Sequence, residues 1–269
     1  LGTGAGRQPQ RSILAGPGVP DQERVVSLAS SQPWAMEVAM STMAMLRSLP
    51  FFSGLTPQEL ESLARHLRKR TFGKGMIIFH KGSLGRSLYI IESGRVRIFL
   101  LDEAGQEISL NIYGPGQVFG ELALLDDLPR SAGAVVMERA AVYALDRRDL
   151  LHCLETCPRL AENIIRELAG RLRYTTACLE QLAFLDVHGR VAAKILELAD
   201  RFSPDGTASW IDLQLTQTEL ATWVVARRES VNKVLAAFRE QGLIQVDGQR
   251  ITVLDRPGLE SRIAHSDVI

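Results

Sequence analysis

The sequence predicts an α+β chain in three parts: an N-terminal β jelly roll, a long dimerisation helix and a C-terminal winged helix-turn-helix. Three observations carry this. Short runs rich in Ile, Val, Leu, Tyr and Phe, punctuated by glycines, fill the segment from Thr71 to about Leu145, as in a sandwich or jelly roll. A proline-free stretch with leucines on a heptad follows Pro158. After Asp186 the order is helix, helix–turn–helix, hairpin, which is the winged-helix order.

In chain order, residues 1–44 are rich in Gly, Pro and Gln with little apolar periodicity and are expected to form a disordered tail. Leu1 is followed by Met36, Met40, Met43 and Met45, and one of these is the expected native start. The jelly roll is expected over residues 45–157. It opens on "LTPQELESLARHL", where Thr56, Pro57 and Glu59 form a capping box. The strand runs are "MIIFHKG", "SLYIIESG", "RVRIFLLDEAGQEISLNIYG" and "AVVMERAAVYALD".

Residues 158–187 form the long helix and hinge. Leu168, Leu172, Thr175, Leu179 and Leu182 make an a/d seam over about two heptads. Such a seam also fits a helix lying on its own domain. A long helix between two compact regions has few intramolecular partners, which favours pairing with a second copy. The winged helix-turn-helix spans 188–256, with helices in "GRVAAKILELADRF", "LTQTELATWV" and "RRESVNKVLAAFREQGLI". "SPDGTASW" is a turn, Thr216 and Glu219 form a second capping box, and "LIQVDGQRITVLD" is a hairpin around Asp247-Gly248. Residues 257–269 are expected to be a C-terminal tail. No internal repeat is present.

Composition narrows the function. The chain has 269 residues, 46% hydrophobic and 23% charged, with 31 basic and 31 acidic residues. That suits two modest soluble domains, and zero net charge argues against bulk nucleic-acid affinity without excluding a basic patch. No apolar run approaches the roughly 20 residues of a membrane helix, and no signal peptide is evident. Cys153, Cys157 and Cys178 suggest a reducing cytoplasm and no disulfide framework. His152, Cys153 and Cys157 match no zinc spacing, so no metal is expected. No G-x-S-x-G, H-E-x-x-H or P-loop occurs, so no catalytic activity is expected.

Two constellations remain. In "FGELALLDDLPRSAGA", Glu121 follows Gly120 and precedes Leu122, and Arg130 and Ser131 lie beyond an apolar run. A carboxylate accepts from sugar hydroxyls, and a guanidinium grips anionic oxygens in a fork. Alone, the pair equally fits surface charges worth roughly 0–1 kcal/mol. In the second, Arg227, Arg228, Glu229, Asn232 and Lys233 cluster at one helix start. Arg can bond guanine O6 and N7, and Glu can accept from cytosine N4. From Gly189 to Arg256, nine Arg/Lys face nine Asp/Glu, so composition alone fits a solvated surface helix. Thr175 and Thr176 place two hydroxyls at the seam. A polar seam residue commonly sets register; the other reading is a ligand contact.

Together, "GELALLDDLPRSA", "RLRYTTACLEQLAFLDVHGRVA" and "RRESVNKVL" resemble the CRP/FNR family of bacterial transcription regulators, most closely its cyclic-AMP receptor protein branch, over about Leu46 to Arg256. The resemblance implies a cyclic-nucleotide-binding jelly roll with cyclic AMP as allosteric ligand. Glu121 would bind a ribose hydroxyl within the Gly120–Leu122 cassette. Arg130 and Ser131 would hold the cyclic phosphate, supported by Arg171. Thr175, with Thr176 of the opposite subunit, would meet the adenine. Double-stranded DNA, a second copy of the chain and RNA polymerase are the implied partners. Arg228, Glu229 and Lys233 would contact bases of a TGTGA-like half-site.

The family position held here by Val225 usually carries Gly, that of Arg227 a capping Ser or Thr, and that of Lys233 Arg. A rebuilt turn and a shifted operator are therefore expected. The oxygen-sensing branch needs cysteines before Cys153, and the haem-binding branch lacks the cassette. A cyclic dinucleotide, or no ligand, is the alternative. A jelly-roll metalloenzyme would need more than His66 and His80, and a kinase or channel module would need something to regulate.

Overall fold

The computed structural model describes residues 42–203, 211 and 216–264. Most of the expected N-terminal tail, residues 204–210 of the expected turn and residues 265–269 lie outside them.

The jelly roll is two four-stranded antiparallel sheets. We number strands β1 (Arg68–Phe72), β2 (Ile77–Phe79), β3 (Ser87–Ser93), β4 (Val96–Leu101), β5 (Glu107–Tyr113), β6 (Val118–Phe119), β7 (Gly133–Val136) and β8 (Ala140–Asp146). One sheet runs β1-β8-β3-β6 and the other β2-β7-β4-β5. Strand periodicity explains the apolar runs. On β3, Tyr89 and Ile91 enter the core between the sheets, while Leu88 and Ile90 face the helices behind. On β8, Val142 and Ala144 point one way, Tyr143 and Leu145 the other. A strand buried on both faces is apolar throughout, whereas a half-exposed one alternates.

The helices behind that sheet are α1 (Pro57–His66) and α3 (Arg147–Thr156). The capping box of α1 forms as expected, with Thr56 Oγ1 accepting from the Glu59 amide and Glu59 accepting from the Thr56 amide. A one-turn helix α2 (Leu122–Leu125) lies between β6 and β7. Residues 42–48 are helical, and Thr42 and Leu46 are buried. The ordered domain therefore begins before residue 45, because Thr42 Oγ1 donates to the Tyr143 hydroxyl at 3.3 Å and Leu46 fills the helix-side core.

Helix α4 (Pro158–Phe184) is continuous over 27 residues. Leu172 and Leu179 on it are 69% and 65% exposed, and Ile165 and Leu182 are exposed with them. Leu185 and Asp186 then form the hinge, where Asp186 Oδ1 caps the next helix by accepting from the Gly189 amide at 2.8 Å.

The C-terminal domain comprises α5 (Val187–Phe202), α6 (Gln217–Val224), α7 (Arg228–Glu240), the hairpin β9 (Ile244–Asp247) and β10 (Arg250–Val253), and α8 (Arg256–Ala264). The second capping box, Thr216 with Glu219, is formed. Arg250 pairs with Asp247, so the hairpin loop is Gly248-Gln249, one residue beyond the expected pair. Gly248 has φ +59°, at the loop position where a type II′ turn places glycine.

The expected C-terminal tail is corrected over residues 257–264, which are helical. Leu259 is fully buried in the domain core. Asp255 Oδ1 accepts from the Gly258 amide at 3.0 Å, starting the helix. A Cβ on Gly258 would collide with Asp255 Oδ2 and lie 2.5 Å from Leu243 Cδ2, so a larger residue there has to displace those side-chain ends.

Val225 ends α6 with φ 49° and ψ 56°. A β-branched residue in this left-handed region costs on the order of 1–3 kcal/mol. Val225→Gly is expected to raise stability by about 1 kcal/mol, after the larger unfolded-state entropy of glycine is offset. Urea unfolding checks this, and a loss of stability would show that the Val225 side-chain contacts outweigh the strain.

Candidate nucleotide pocket and DNA-reading helix

Between the β2-β7-β4-β5 sheet, α2 and α4 lies a cavity of about 410 Å³. Gly120, Glu121, Leu122, Arg130, Ser131, Arg171 and Thr175 all line it. Thr176 does not border it; it lies on the exposed flank of α4.

Glu121 stands between β6 and α2 and is 1% exposed. Its Oε1 accepts from Arg171 Nη1 at 2.6 Å. Arg171 also donates to the Val118 carbonyl and to Glu167 Oε1 at 3.1 Å, and its guanidinium lies 4.8 Å from the Tyr113 ring centroid. The other oxygen, Glu121 Oε2, is buried and has no hydrogen-bond partner among the described residues. A buried acceptor without a donor is costly, and this atom has its lone pairs free to accept from a donor entering the cavity.

Arg130 is 5% exposed. Nη1 donates to the Gly120 carbonyl and Nη2 to the Ser87 carbonyl at 2.5 Å, while Nε is buried without a partner among the described residues. The guanidinium stacks 4.2 Å from the Phe79 ring centroid. Desolvation pulls its pKa below the usual arginine range, partly opposed by Tyr89 and Glu121. Two glycines make room for it. Gly120 has φ +80°, and a Cβ there would come within 2.8 Å of Arg130 Nη1; a Cβ on Gly85 would collide with Ala123.

Thr175 Oγ1 donates to the Arg171 carbonyl and Thr176 Oγ1 to the Leu172 carbonyl, each at 2.9 Å. Their lone pairs remain as acceptors. Burial pushes the Tyr113 phenol above its ordinary pKa, with Arg171 acting against it.

The second region is the start of α7. Arg227 is its N-cap, with no side-chain capping bond. Arg227, Arg228, Glu229 and Lys233 are exposed, while Val231, Val234, Leu235 and Phe238 are buried. The charged face therefore points outward from a packed helix. Asn232 is half-buried and turns Oδ1 inward, where it has no partner among the described residues.

Residues 69–157 match the cyclic nucleotide-binding domain family, and residues 189–262 match the Crp-like helix-turn-helix domain family. The chain is 38% identical over 212 residues to the CRP-like cAMP-activated global transcriptional regulator of Mycobacterium tuberculosis, covering 78% of this chain and 95% of that one. The chain belongs to the CRP/FNR family of transcription regulators. The cyclic AMP receptor protein of Thermus thermophilus is 35% identical over 215 residues, covering 80% of this chain and 97% of that one. A solved CRP-family transcriptional regulator from Thermus thermophilus superposes with TM-score 0.60 at 30% identity, over 73% of this chain and 97% of that one. The c-di-GMP responsive global regulator of Xanthomonas campestris has TM-score 0.65 at 24% identity, over 74% and 99%, which is a likeness of fold.

Several residues of this CRP/FNR regulator's cavity escaped the sequence reading. Phe79, Ile98, Leu110, Asn111, Tyr113 and Tyr174 also line it. The alternation of β4 and β5 carries a signal for the first strands' inward faces, but nothing local marks which inward residues meet the cassette. Among the described residues, no group of three or more His, Cys, Asp or Glu is placed to hold a metal, and no helix is long and apolar enough to cross a membrane.

Proposed function

We propose that this regulator is a cytoplasmic homodimer that binds cyclic AMP in the jelly roll and then a palindromic, TGTGA-like operator, acting with RNA polymerase. The observation that carries the ligand reading is Glu121 Oε2, a buried acceptor with no protein donor, in one cavity with Arg130 and Ser131. A ribose hydroxyl suits Glu121, and an anionic phosphate suits Arg130 and Ser131. The relatives from Mycobacterium tuberculosis and Thermus thermophilus, named for cyclic AMP, support the choice of nucleotide.

The dimer reading rests on the exposed apolar line of α4. It would bring Thr176 of the second copy toward the cavity and set two α7 helices about 34 Å apart, one turn of DNA. A near-complete switch requires the ligand to favour the active state by about 5.5 kcal/mol. On the DNA, Arg227, Arg228, Glu229, Asn232 and Lys233 form the contact set, Arg228 and Glu229 reading bases. A second reading, another nucleotide such as a cyclic dinucleotide, is favoured by one observation. Both terminal nitrogens of Arg130 already donate to backbone carbonyls.

Calorimetric titration with cyclic AMP, cyclic GMP and cyclic di-GMP separates these readings. Cyclic AMP is expected to bind the parent, and Arg130→Leu to weaken it at least about 30-fold, since truncating a buried charged donor costs about 2–5 kcal/mol. Unchanged affinity in a folded Arg130→Leu variant defeats the cassette reading. A gel shift on a TGTGA palindrome with and without cyclic AMP, at stated salt, tests the DNA half.

A further inference from the structure

Tyr174 belongs to two cavities. It lines the nucleotide cavity and also a smaller one of about 150 Å³ enclosed by α4, β5 and the helix-turn-helix. Its hydroxyl donates to Glu197 Oε1 at 3.0 Å, on the first helix of the DNA-binding domain. Burial, then the Glu197 carboxylate, push the phenol above its ordinary pKa, so it stays a donor. Glu197 Oε2 takes the ammonium of Lys194, which is 4% exposed, lies 3.3 Å from the Tyr174 hydroxyl and sits 4.6 Å from the Trp223 ring centroid on α6. Arg201 supplies a second arm. Its Nη1 donates to Glu197 Oε1 at 3.1 Å, and its Nη2 to Asn111 Oδ1 at 3.0 Å and the Ile112 carbonyl at 2.8 Å on β5. Asn111 is also a wall of the nucleotide cavity.

Two cavity-wall residues on different elements thus hold one helix of the DNA-binding domain, Tyr174 through Glu197 directly and Asn111 through Arg201. The buried Lys194 needs the Glu197 carboxylate, because an unpaired buried charge is strongly unfavourable. Lys194, Glu197 and Arg201 share α5 and move together, so a shift of the DNA-binding domain breaks the Tyr174–Glu197 and Arg201–Asn111 hydrogen bonds at once, and the cluster is either made or broken. In the made state Arg227, Arg228 and Glu229 are exposed and border a cleft shared with the β4–β5 hairpin, from Leu100 to Ile108.

We propose that the Tyr174–Glu197–Lys194–Arg201–Asn111 cluster is a clamp that fixes the orientation of the DNA-binding domain against the jelly roll, with Tyr174 and Asn111 as the positioning residues through which cavity occupancy biases DNA binding. The ligand half rests on the nucleotide reading above. A ligand touching Tyr174 and Asn111 shifts the clamp's equilibrium when it contacts the made and broken states unequally, and couplings of this kind change affinity about 5–150-fold.

The test uses Tyr174→Phe, which removes only the hydroxyl, Arg201→Gln, which removes the second arm, and the double variant. DNA affinity is read by anisotropy on a labelled TGTGA palindrome at fixed salt, without cyclic AMP and at concentrations that calorimetry shows to saturate each protein. The ligand-induced gain in DNA affinity is expected to fall at least about fivefold in each single variant, and non-additively in the double. Hydrogen exchange of amides 185–189 at the hinge, measured without ligand or DNA, is expected to quicken in both. A merely structural cluster would lower the melting temperature and leave the ligand-induced gain intact, which overturns the proposal. If the parent binds no cyclic AMP, the nucleotide reading alone fails. The clamp is then judged at the hinge, where exchange equal to the parent overturns it.

Discussion

In Arg171→Met, the chain is expected to lose about 3–5 kcal/mol of stability, the cost of stranding a buried carboxylate by removing its partner. At roughly 2–4 °C per kcal/mol for a chain of this size, the melting temperature falls by about 6–20 °C. The argument turns on Glu121, almost fully buried with one oxygen 2.6 Å from Arg171 Nη1 and the other without a partner. Among the described residues Arg171 is the ion-pair partner of Glu121, and it also ties α4 to the Val118 carbonyl. Adding Glu121→Gln to Arg171→Met removes the stranded charge, so most of the stability is expected to return. Cyclic-AMP binding is expected to stay lost, because neither the carboxylate nor the guanidinium is present. Scanning calorimetry with titration of both variants checks this. A single variant as stable as the parent would show that the carboxylate finds another donor, and would remove the physical basis for assigning Glu121 Oε2 to a ligand hydroxyl.

The parts of this fold that were legible in the sequence are those whose causes are local. Thr56 with Glu59 and Thr216 with Glu219 each close a capping box within four residues, and the helices begin there. The doubly buried strands β3 and β8 were evident because both faces are apolar. Strand β1, "RKRTF", was not expected to start at Arg68, since its charged residues are accommodated by partners distant in sequence, such as Glu92 for Lys69. Helix α3 went unread for a related reason: its buried residues are few, Leu150 and Cys153 among them, and its packing on α1 decides its place.

Helix α8 was missed because Pro257-Gly258 looks like a turn. Proline in a first helical turn loses no hydrogen bond, and Asp255 before it supplies a cap; that was the available signal. The site divides the same way. Gly120 to Ser131 is one contiguous stretch and was legible. The Glu121–Arg171 pair spans 50 positions, and the Tyr113 and Phe79 faces belong to separate strands. Only strand register and the landing of α4 bring those together.

Leu172→Asp combined with Leu179→Asp is expected to leave a monomer. Ile165, Leu172 and Leu179 recur every seven residues, with Leu168, Thr175 and Leu182 interleaved, so the exposed line continues one seam position further toward the N-terminus, to Ile165, than the expected start at Leu168. An apolar stripe of that length on a 27-residue helix does not suit open water. Burying a leucine fully contributes roughly 1.5–3 kcal/mol. Two leucines from each of two copies are then worth about 6–12 kcal/mol, before any cost of placing carboxylates opposite one another. Each 1.4 kcal/mol is tenfold in affinity, so dissociation is expected to weaken by more than about 10⁴-fold. Sedimentation at micromolar concentration would give a species near 29.7 kDa for the variant and twice that for the parent. A variant that remains dimeric would place the interface elsewhere. Thr175→Leu gives the opposite arm: filling the polar seam position should tighten the pair, while removing a hydroxyl from the cavity wall should weaken the nucleotide. Under the proposed function, a seam with leucine at every turn would hold the dimer more firmly and sense the ligand less.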